Sequence, residues 1–180
     1  MGTAATLNAT LAAASPDFAA HSTRVTELAL RLASALEVDG EIEHAIRVGG
    51  PVHDVGKLAV SEEVLTKPGA LEPHELAEIR AHPTRGARML AGVKGVRAGL
   101  TCVLHHHERW DGDGYPSGLA GEAIPLEARI VSVADAYDAM TSDRPYRAAL
   151  SRSEALAEVG RCIGTQFDPV VAGALLQLVS

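Results

Sequence analysis

The chain has 180 residues, with 23 acidic and 16 basic side chains and a formal net charge of −7. This length predicts one domain that buries roughly 70% of its unfolded surface, so neither a disulfide nor a metal is needed merely to fold it. The negative charge and the aromatic content of 3% argue against general DNA or RNA binding, because such binding depends on excess Lys and Arg and on aromatic stacking.

The two cysteines, Cys102 and Cys162, lie far apart and belong to no paired motif. We interpret both as free, buried thiols in a reducing compartment. No apolar run approaches the roughly 20 residues that cross a bilayer, and Ala-rich residues 4–14 lack the basic start of a signal peptide. The sequence therefore predicts a cytoplasmic protein with no membrane partner.

Apolar residues recur at helical spacing in the first half of the chain. The periodicity predicts helices over residues 17–36, 41–54 and 73–90, and a fourth that leads into the histidines at 105–107. Pro83 predicts an interruption of the third helix near His82, because proline cannot continue the helical hydrogen-bond pattern.

The second half begins with a Gly-, Asp- and Pro-rich stretch over residues 111–125, a composition that favours a structured loop. Pro125 opens the next predicted helix, and two more are expected over 153–163 and 168–178, the last with Asp168 as its N-cap. No strand-like alternation and no repeat are found. The sequence therefore predicts one all-α domain.

Histidine is the residue type that points to chemistry, since five of the eight histidines lie in or beside predicted helices. Imidazole and carboxylate together bind first-row divalent metals, although any one histidine could equally be an ordinary core or surface residue. His53 is followed directly by Asp54, and Asp17 and His21 lie four residues apart, on one helix face. Asp135 lies in an apolar helix, where a carboxylate requires a partner that a metal would supply.

Several longer strings carry a family resemblance: VHDVGK at 52–57, HHERWDGDGYPSGL at 106–119, IPLEARIVSVADAYDAMTSDRPYR at 124–147 and GTQFDP at 164–169. Together they resemble the HD-GYP domain, the branch of the HD metal-dependent phosphohydrolases that hydrolyses cyclic di-GMP. Two further strings, at 21–29 and 67–90, extend the resemblance over nearly the whole chain. It implies a single HD-superfamily helical bundle domain with a GYP loop over residues 17–180, after a lead-in segment over 1–16.

The resemblance also implies a set of metal ligands, with Asp54 bridging two ions: His21, His53, Asp54, His82, His106, His107 and Asp135. His105 is then left to support or packing. Asp17 stands where some family members have a Glu that recruits a third ion, and its shorter side chain leaves two or three ions open. We expect iron or manganese, which suit such ligands.

For catalysis, the resemblance assigns His53, Asp54 and Lys57, with in-line attack by a metal-bridging hydroxide. The substrate-binding residues that it implies are Lys57, Tyr115, Arg144 and Arg147. Gly112 and Gly114 would permit the tight backbone of the GYP loop, and Pro116 would stiffen it. Without the resemblance, Lys57 and the two arginines would be ordinary surface residues.

The resulting hypothesis is an enzyme that opens cyclic di-GMP to pGpG, with further hydrolysis to GMP left open. One alternative is a phosphodiesterase for another cyclic dinucleotide, such as cyclic GMP-AMP. Another is a non-catalytic module that senses a cyclic dinucleotide or binds a partner, but the complete ligand set favours catalysis. The partners to consider are a sensory or receiver domain, a diguanylate cyclase and a second copy of the chain.

Overall fold

The structure is a computed structural model that describes the backbone of residues 16–143 and 148–179, and the side chains from Phe18 onward. Within these ranges the chain is helical, without a β-strand, which confirms the predicted all-α class. The α-helices are α1 (Pro16–Ala35), α2 (Gly40–Gly49), α3 (Glu62–Leu65), α4 (Pro73–Arg80), α5 (His82–Leu90), α6 (Leu100–His105), α7 (Leu126–Thr141), α8 (Arg152–Arg161) and α9 (Pro169–Val179).

The main core forms where α1 packs against α7. Val25, Ala29 and Leu32 recur at steps of four and three on α1, so they share one face of that helix and are fully buried. On α7 the buried residues include Ile130 and Ala134. Burial of each large aliphatic side chain contributes about 1.5–3 kcal/mol relative to exposure, so the two helices are firmly joined without any contribution from a metal.

The helix predicted over residues 41–54 is wrong in its second part, because α2 ends at Gly49. Gly49 packs so closely on the backbone of Gly99 that a Cβ atom would lie 2.4 Å from the Gly99 carbonyl oxygen. Pro51 then has no N–H to continue an α-helix, and short 3₁₀ helices follow at Gly50–Val52 and Val55–Ala59. His53 and Asp54 therefore lie in the turn between two 3₁₀ helices.

The other boundaries agree with the sequence patterns. The predicted interruption near His82 is confirmed, since α4 ends at Arg80 and α5 begins at His82. Residues 111–125 form a loop that contains one short 3₁₀ turn. Asp168 caps α9 as predicted, because its carboxylate accepts hydrogen bonds from the backbone N–H groups of Val170 and Val171.

Both cysteine thiols are free, as predicted. Cys102 is buried, but the prediction that Cys162 is buried as well is wrong, since it is half-buried. No helix in residues 16–143 and 148–179 is long and apolar enough to cross a membrane.

Candidate metal centre

The turn that carries His53 and Asp54 is pressed directly onto the start of α5. A Cβ atom on Gly56 would lie 1.9 Å from the carbonyl oxygen of His82, so only glycine permits this approach. The contact brings the His82 imidazole to the Asp54 carboxylate, with Nε2 3.2 Å from Oδ1. Gly56, from the VHDVGK string, thus joins two predicted ligands that are 28 residues apart in sequence.

Asp54, His82, His106 and His107 form what we call the deep group, in which each residue offers one ligand atom within 4.8 Å of the others. Oδ1 of Asp54 faces this group, 3.6 Å from Nε2 of His106. The two rings of His82 and His106 are fully buried, with their Nε2 atoms 3.3 Å apart. A divalent cation placed among these atoms would be enclosed almost entirely by protein.

His21, His53 and Asp54 form a second set within 4.8 Å of one another, and with Asp135 we call them the rim group. Here Oδ2 of Asp54 faces the imidazoles, 3.5 Å from Nε2 of His53 and 3.9 Å from Nε2 of His21. Asp135, from α7, lies 3.1 Å from Nε2 of His21 and 3.9 Å from Nε2 of His53. The two oxygens of Asp54 therefore point to two different ligand groups, as a bridging carboxylate requires.

Three of the imidazoles are oriented by the backbone. Their Nδ1 atoms donate to carbonyl oxygens three or four residues earlier: His53 to Gly50 at 2.8 Å, His82 to Ile79 at 2.7 Å and His106 to Cys102 at 3.0 Å. Because a carbonyl can only accept, Nδ1 carries a hydrogen, and Nε2 is the ring nitrogen that points into the cluster. Nε2 of His53 and Oδ1 of Asp54 are buried without a hydrogen-bond partner, a cost that a cation would remove.

The protonation states of most of these groups, His21 excepted, suit a cation site. Burial lowers the pKa of His53 to about 4 and holds the pKa of His107 well below its usual range, so both rings are neutral at pH 7. Burial alone would raise the pKa of Asp54, but the Lys57 ammonium, with Nζ 2.6 Å from Oδ2, keeps it well below the usual range. Asp135 is likewise held ionised, against its burial, by the hydrogen bond from His21. Neutral imidazoles and ionised carboxylates are the forms that bind divalent metals.

His21 is the exception among the oriented histidines, because a carboxylate rather than a carbonyl holds its Nδ1. Asp138 accepts this hydrogen bond at 2.7 Å, and Arg24 in turn binds both oxygens of Asp138. Burial alone would lower the pKa of His21, but its hydrogen bonds to Asp135 and Asp138 raise it to about 9. A cation at the rim group would therefore have to displace the proton on Nε2. Sequence reasoning missed Asp138 and Arg24, although each lies one helical turn beyond a predicted ligand.

The GYP loop covers the deep group. Tyr115 stacks on His107, with ring centroids 4.9 Å apart and an interplanar angle of 23°, and the Arg80 guanidinium lies 5.5 Å from the Tyr115 ring. Gly114 is required by close packing, since a Cβ atom there would lie 2.3 Å from the backbone N of Arg109. Gly112 has a φ of 88°, which also favours glycine.

Glu108 anchors this loop and was also missed by sequence reasoning. Its carboxylate is 3% exposed and accepts hydrogen bonds from the backbone N–H of Ser117 at 2.7 Å and of Leu119 at 3.1 Å. His105 lies outside both ligand groups, with Nδ1 3.5 Å from the Glu108 carboxylate. The available signal was the position of Glu108 directly after two predicted metal ligands in the string HHE. The loop N–H groups that the Glu108 carboxylate binds were not visible from the sequence.

A cleft of about 750 Å³ opens beside the rim group. Lys57 lies on its wall, with Nζ 5.5 Å from the centre of the Phe18 ring. Apolar and polar side chains both line the cleft, among them Phe18, Leu65, Ile79, Arg24, Asp54 and Ser142. The predicted substrate residues Arg144 and Arg147 and the side chain of Asp17 lie outside the described residues.

Comparisons with known proteins show the family to which the chain belongs. A family model described as the HD domain matches residues 6–171. The cyclic di-GMP phosphodiesterase response regulator RpfG of Xanthomonas campestris is 44% identical over 156 residues, which are 86% of this chain and 41% of that protein. The 3′3′-cGAMP-specific phosphodiesterase 1 of Vibrio cholerae is 40% identical over 84% of this chain and 36% of its own length. This chain thus spans about two fifths of each of these relatives.

Among solved structures, the HDG"Y"P protein Bd1817 of Bdellovibrio bacteriovorus superimposes with a TM-score of 0.73. The match covers 90% of this chain and 52% of that one, at 21% sequence identity. At this identity the likeness concerns the fold alone.

Proposed function

The chain belongs to the HD domain family, in its HD-GYP branch, and from this premise we propose that it is a metal-dependent phosphodiesterase that hydrolyses cyclic di-GMP to pGpG. The observation that carries the proposal is the position of Asp54. Its two carboxylate oxygens face two separate groups of ligands, and the rim group opens to the cleft. The alternative of a module that only senses a cyclic dinucleotide is disfavoured, since neither group lacks a ligand that the family resemblance implies.

We assign one ion to each group. His82, His106 and His107 would hold the deep ion and His21, His53 and Asp135 the rim ion, with Asp54 shared between them. Two divalent ions held by these residues would lower the pKa of a bound water molecule and offset the negative charge of a phosphodiester. Iron and manganese are the ions that we propose, because mixed imidazole and carboxylate ligands suit both.

The side chains around the ions would bind and orient the substrate. Lys57 lies between Asp54 and the cleft, where its ammonium can contact an oxygen of the attacked phosphate and offset charge that develops there. Tyr115 would present its ring edge and hydroxyl at the other side of the centre. For Arg144 and Arg147 we propose contacts to the distal half of the dinucleotide, where a planar guanidinium suits phosphate or guanine.

Cyclic GMP-AMP is the second candidate substrate, favoured by the 40% identity to a cGAMP-specific enzyme. The two dinucleotides share both phosphates and differ at one base, so the metal centre by itself cannot separate them. We favour cyclic di-GMP because its phosphodiesterases include the relative that is 44% identical.

The test uses protein that has been loaded with Mn²⁺ or, without oxygen, with Fe²⁺. We expect two ions per chain by elemental analysis, and a higher kcat/KM for cyclic di-GMP than for 3′3′-cyclic GMP-AMP. The reverse preference would replace the substrate and keep the enzyme class. Binding of either dinucleotide without turnover in protein that holds two ions would overturn the proposal in favour of a sensing module.

A further inference from the structure

His21 is oriented by a side-chain carboxylate, a contact that the other oriented histidines do not have. Its Nδ1 donates to Oδ2 of Asp138 at 2.7 Å, whereas the Nδ1 atoms of His53, His82 and His106 donate to nearby backbone carbonyls. Residues 21 and 138 are 117 positions apart. The orientation of this one ligand therefore depends on a side chain of a different helix.

Asp138 is itself held in a fixed position. Arg24 donates to it through Nε at 2.7 Å and Nη2 at 2.9 Å, so the two side chains form a bidentate pair. The Asp138 side chain is 9% exposed, against 48% for Arg24. The carboxylate is thus shielded and oriented, and its charge is directed at the His21 ring.

The pairing follows from a match between two helices. On α1, His21 and Arg24 lie three residues apart and share a face; on α7, Asp135 and Asp138 do the same. When α1 packs on α7, the inner carboxylate, Asp135, meets Nε2 of His21 at 3.1 Å. The outer carboxylate, Asp138, meets Nδ1 of the same ring and Arg24 beyond it. His21 is therefore held between two carboxylates that have different tasks.

We infer that Asp138 is a positioning residue that sets the affinity of the rim ion and leaves the deep ion unaffected; the inference rests on the proposed two-ion centre. A carboxylate on Nδ1 fixes the ring and its tautomer and makes Nε2 a stronger ligand. Loss of such a partner typically lowers metal affinity about 10- to 100-fold. Substitution of Asp138 should not affect the deep group, because the backbone carbonyls that orient His82 and His106 remain in place.

The variant that tests this is Asp138→Asn, which keeps the shape and one accepting oxygen but removes the charge. The matched control is Asp168→Asn. Asp168 is also buried and pairs with an arginine of α7, with Arg129 Nη1 2.5 Å from Oδ2, but it touches neither ligand group. Asparagine is also a good N-cap, so this control perturbs a buried ion pair of the same helix without removing the cap of α9.

The measurement is equilibrium dialysis of chelator-treated protein against Mn²⁺, with bound ions counted by elemental analysis and folding followed by circular dichroism. We expect two ions in the unsubstituted protein and in Asp168→Asn. In Asp138→Asn we expect one ion with unchanged affinity and the other weakened about 10- to 100-fold. Asp138→Ala, which also loses the hydrogen bond, should weaken the same ion further.

Two outcomes would overturn the inference. If Asp138→Asn binds both ions as the unsubstituted protein does, or if Asp138→Asn and Asp168→Asn weaken both ions in parallel with their melting temperatures, Asp138 has only a structural role and the proposed function stands. If the unsubstituted protein itself binds a single ion, the two-ion centre and the positioning role both fail.

Discussion

The deep group and the rim group share Asp54 but are held in place by different parts of the chain. In the deep group, the rings of His82 and His106 are oriented by backbone carbonyls of their own helical turns and are fully buried. In the rim group, His21 is oriented by Asp138, and its side chain is 16% exposed beside the cleft. The His82 and His106 rings of the deep group, like His53 of the rim group, are thus oriented by the backbone, whereas the rim ligand His21 depends for its orientation on a side chain that can be substituted.

The largest effect is expected where the two groups cannot be separated. Asp54→Asn removes the charge that both groups share, so both ions should be lost and hydrolysis should fall by several orders of magnitude, while the aliphatic core keeps the helices folded. Elemental analysis and turnover of cyclic di-GMP check this. Asp39→Asn, at the exposed N-cap of α2, is the control and should behave as the unsubstituted protein. Retention of normal turnover in Asp54→Asn would contradict the shared-ligand arrangement.

Lys57 tests the chemistry on the rim side. Lys57→Ala should leave two ions bound, because the ammonium is not a ligand, but should lower kcat about 10²-fold, the scale on which loss of one charge-stabilising donor acts. Lys57→Arg keeps the charge and should recover part of the activity. The measurement is kcat at saturating Mn²⁺ with ion content determined on the same sample. Loss of an ion together with activity would mean that Lys57 acts only through Asp54.

Gly56 tests whether the deep group depends on backbone contact. Gly56→Ala places a Cβ atom against the His82 carbonyl, so the turn must shift away from α5; overpacking of this kind costs about 1–3 kcal/mol of stability. The deep ion should be weakened more than the rim ion. Gly160→Ala, in α8 with no atom near its Cβ position, should instead raise stability by about 0.5–1 kcal/mol. Thermal unfolding of both variants, with and without Mn²⁺, makes the comparison.

The smallest effect is expected at the loop that covers the deep group. Tyr115→Ala removes the ring that stacks on His107, an interaction worth about 0.5–1.5 kcal/mol, so the affinity of the deep ion should fall only a few-fold. Tyr115→Phe keeps the ring and should leave that affinity unchanged. Mn²⁺ dialysis on both variants measures this difference. An equal loss in the two variants would assign the role to the hydroxyl rather than to the stacked ring.

Much of the fold and of the centre could be predicted from the sequence because the signals are local. Apolar spacing predicted α1, Pro125 predicted the start of α7, Pro83 predicted the break near His82, and Asp168 was recognised as a cap. The orientation of three ligand histidines is local as well, since each Nδ1 partner lies three or four residues earlier. The extent of α2 was predicted wrongly: Pro51 is a local signal that was overlooked, whereas the close packing of Gly49 on Gly99 joins positions 50 residues apart and is not visible in the sequence.

What only the tertiary structure decided is which groups meet across the chain. The division of the ligands into two sets, the approach of Gly56 to His82 and the capture of the loop N–H groups by Glu108 all follow from packing. Asp138 is the clearest case: in sequence it is one more acid on an apolar helix. Its role in holding His21 arises only when α1 and α7 pack in one register, because a hydrogen bond of 2.7 Å between residues 117 positions apart depends on the packing of both helices rather than on any local pattern.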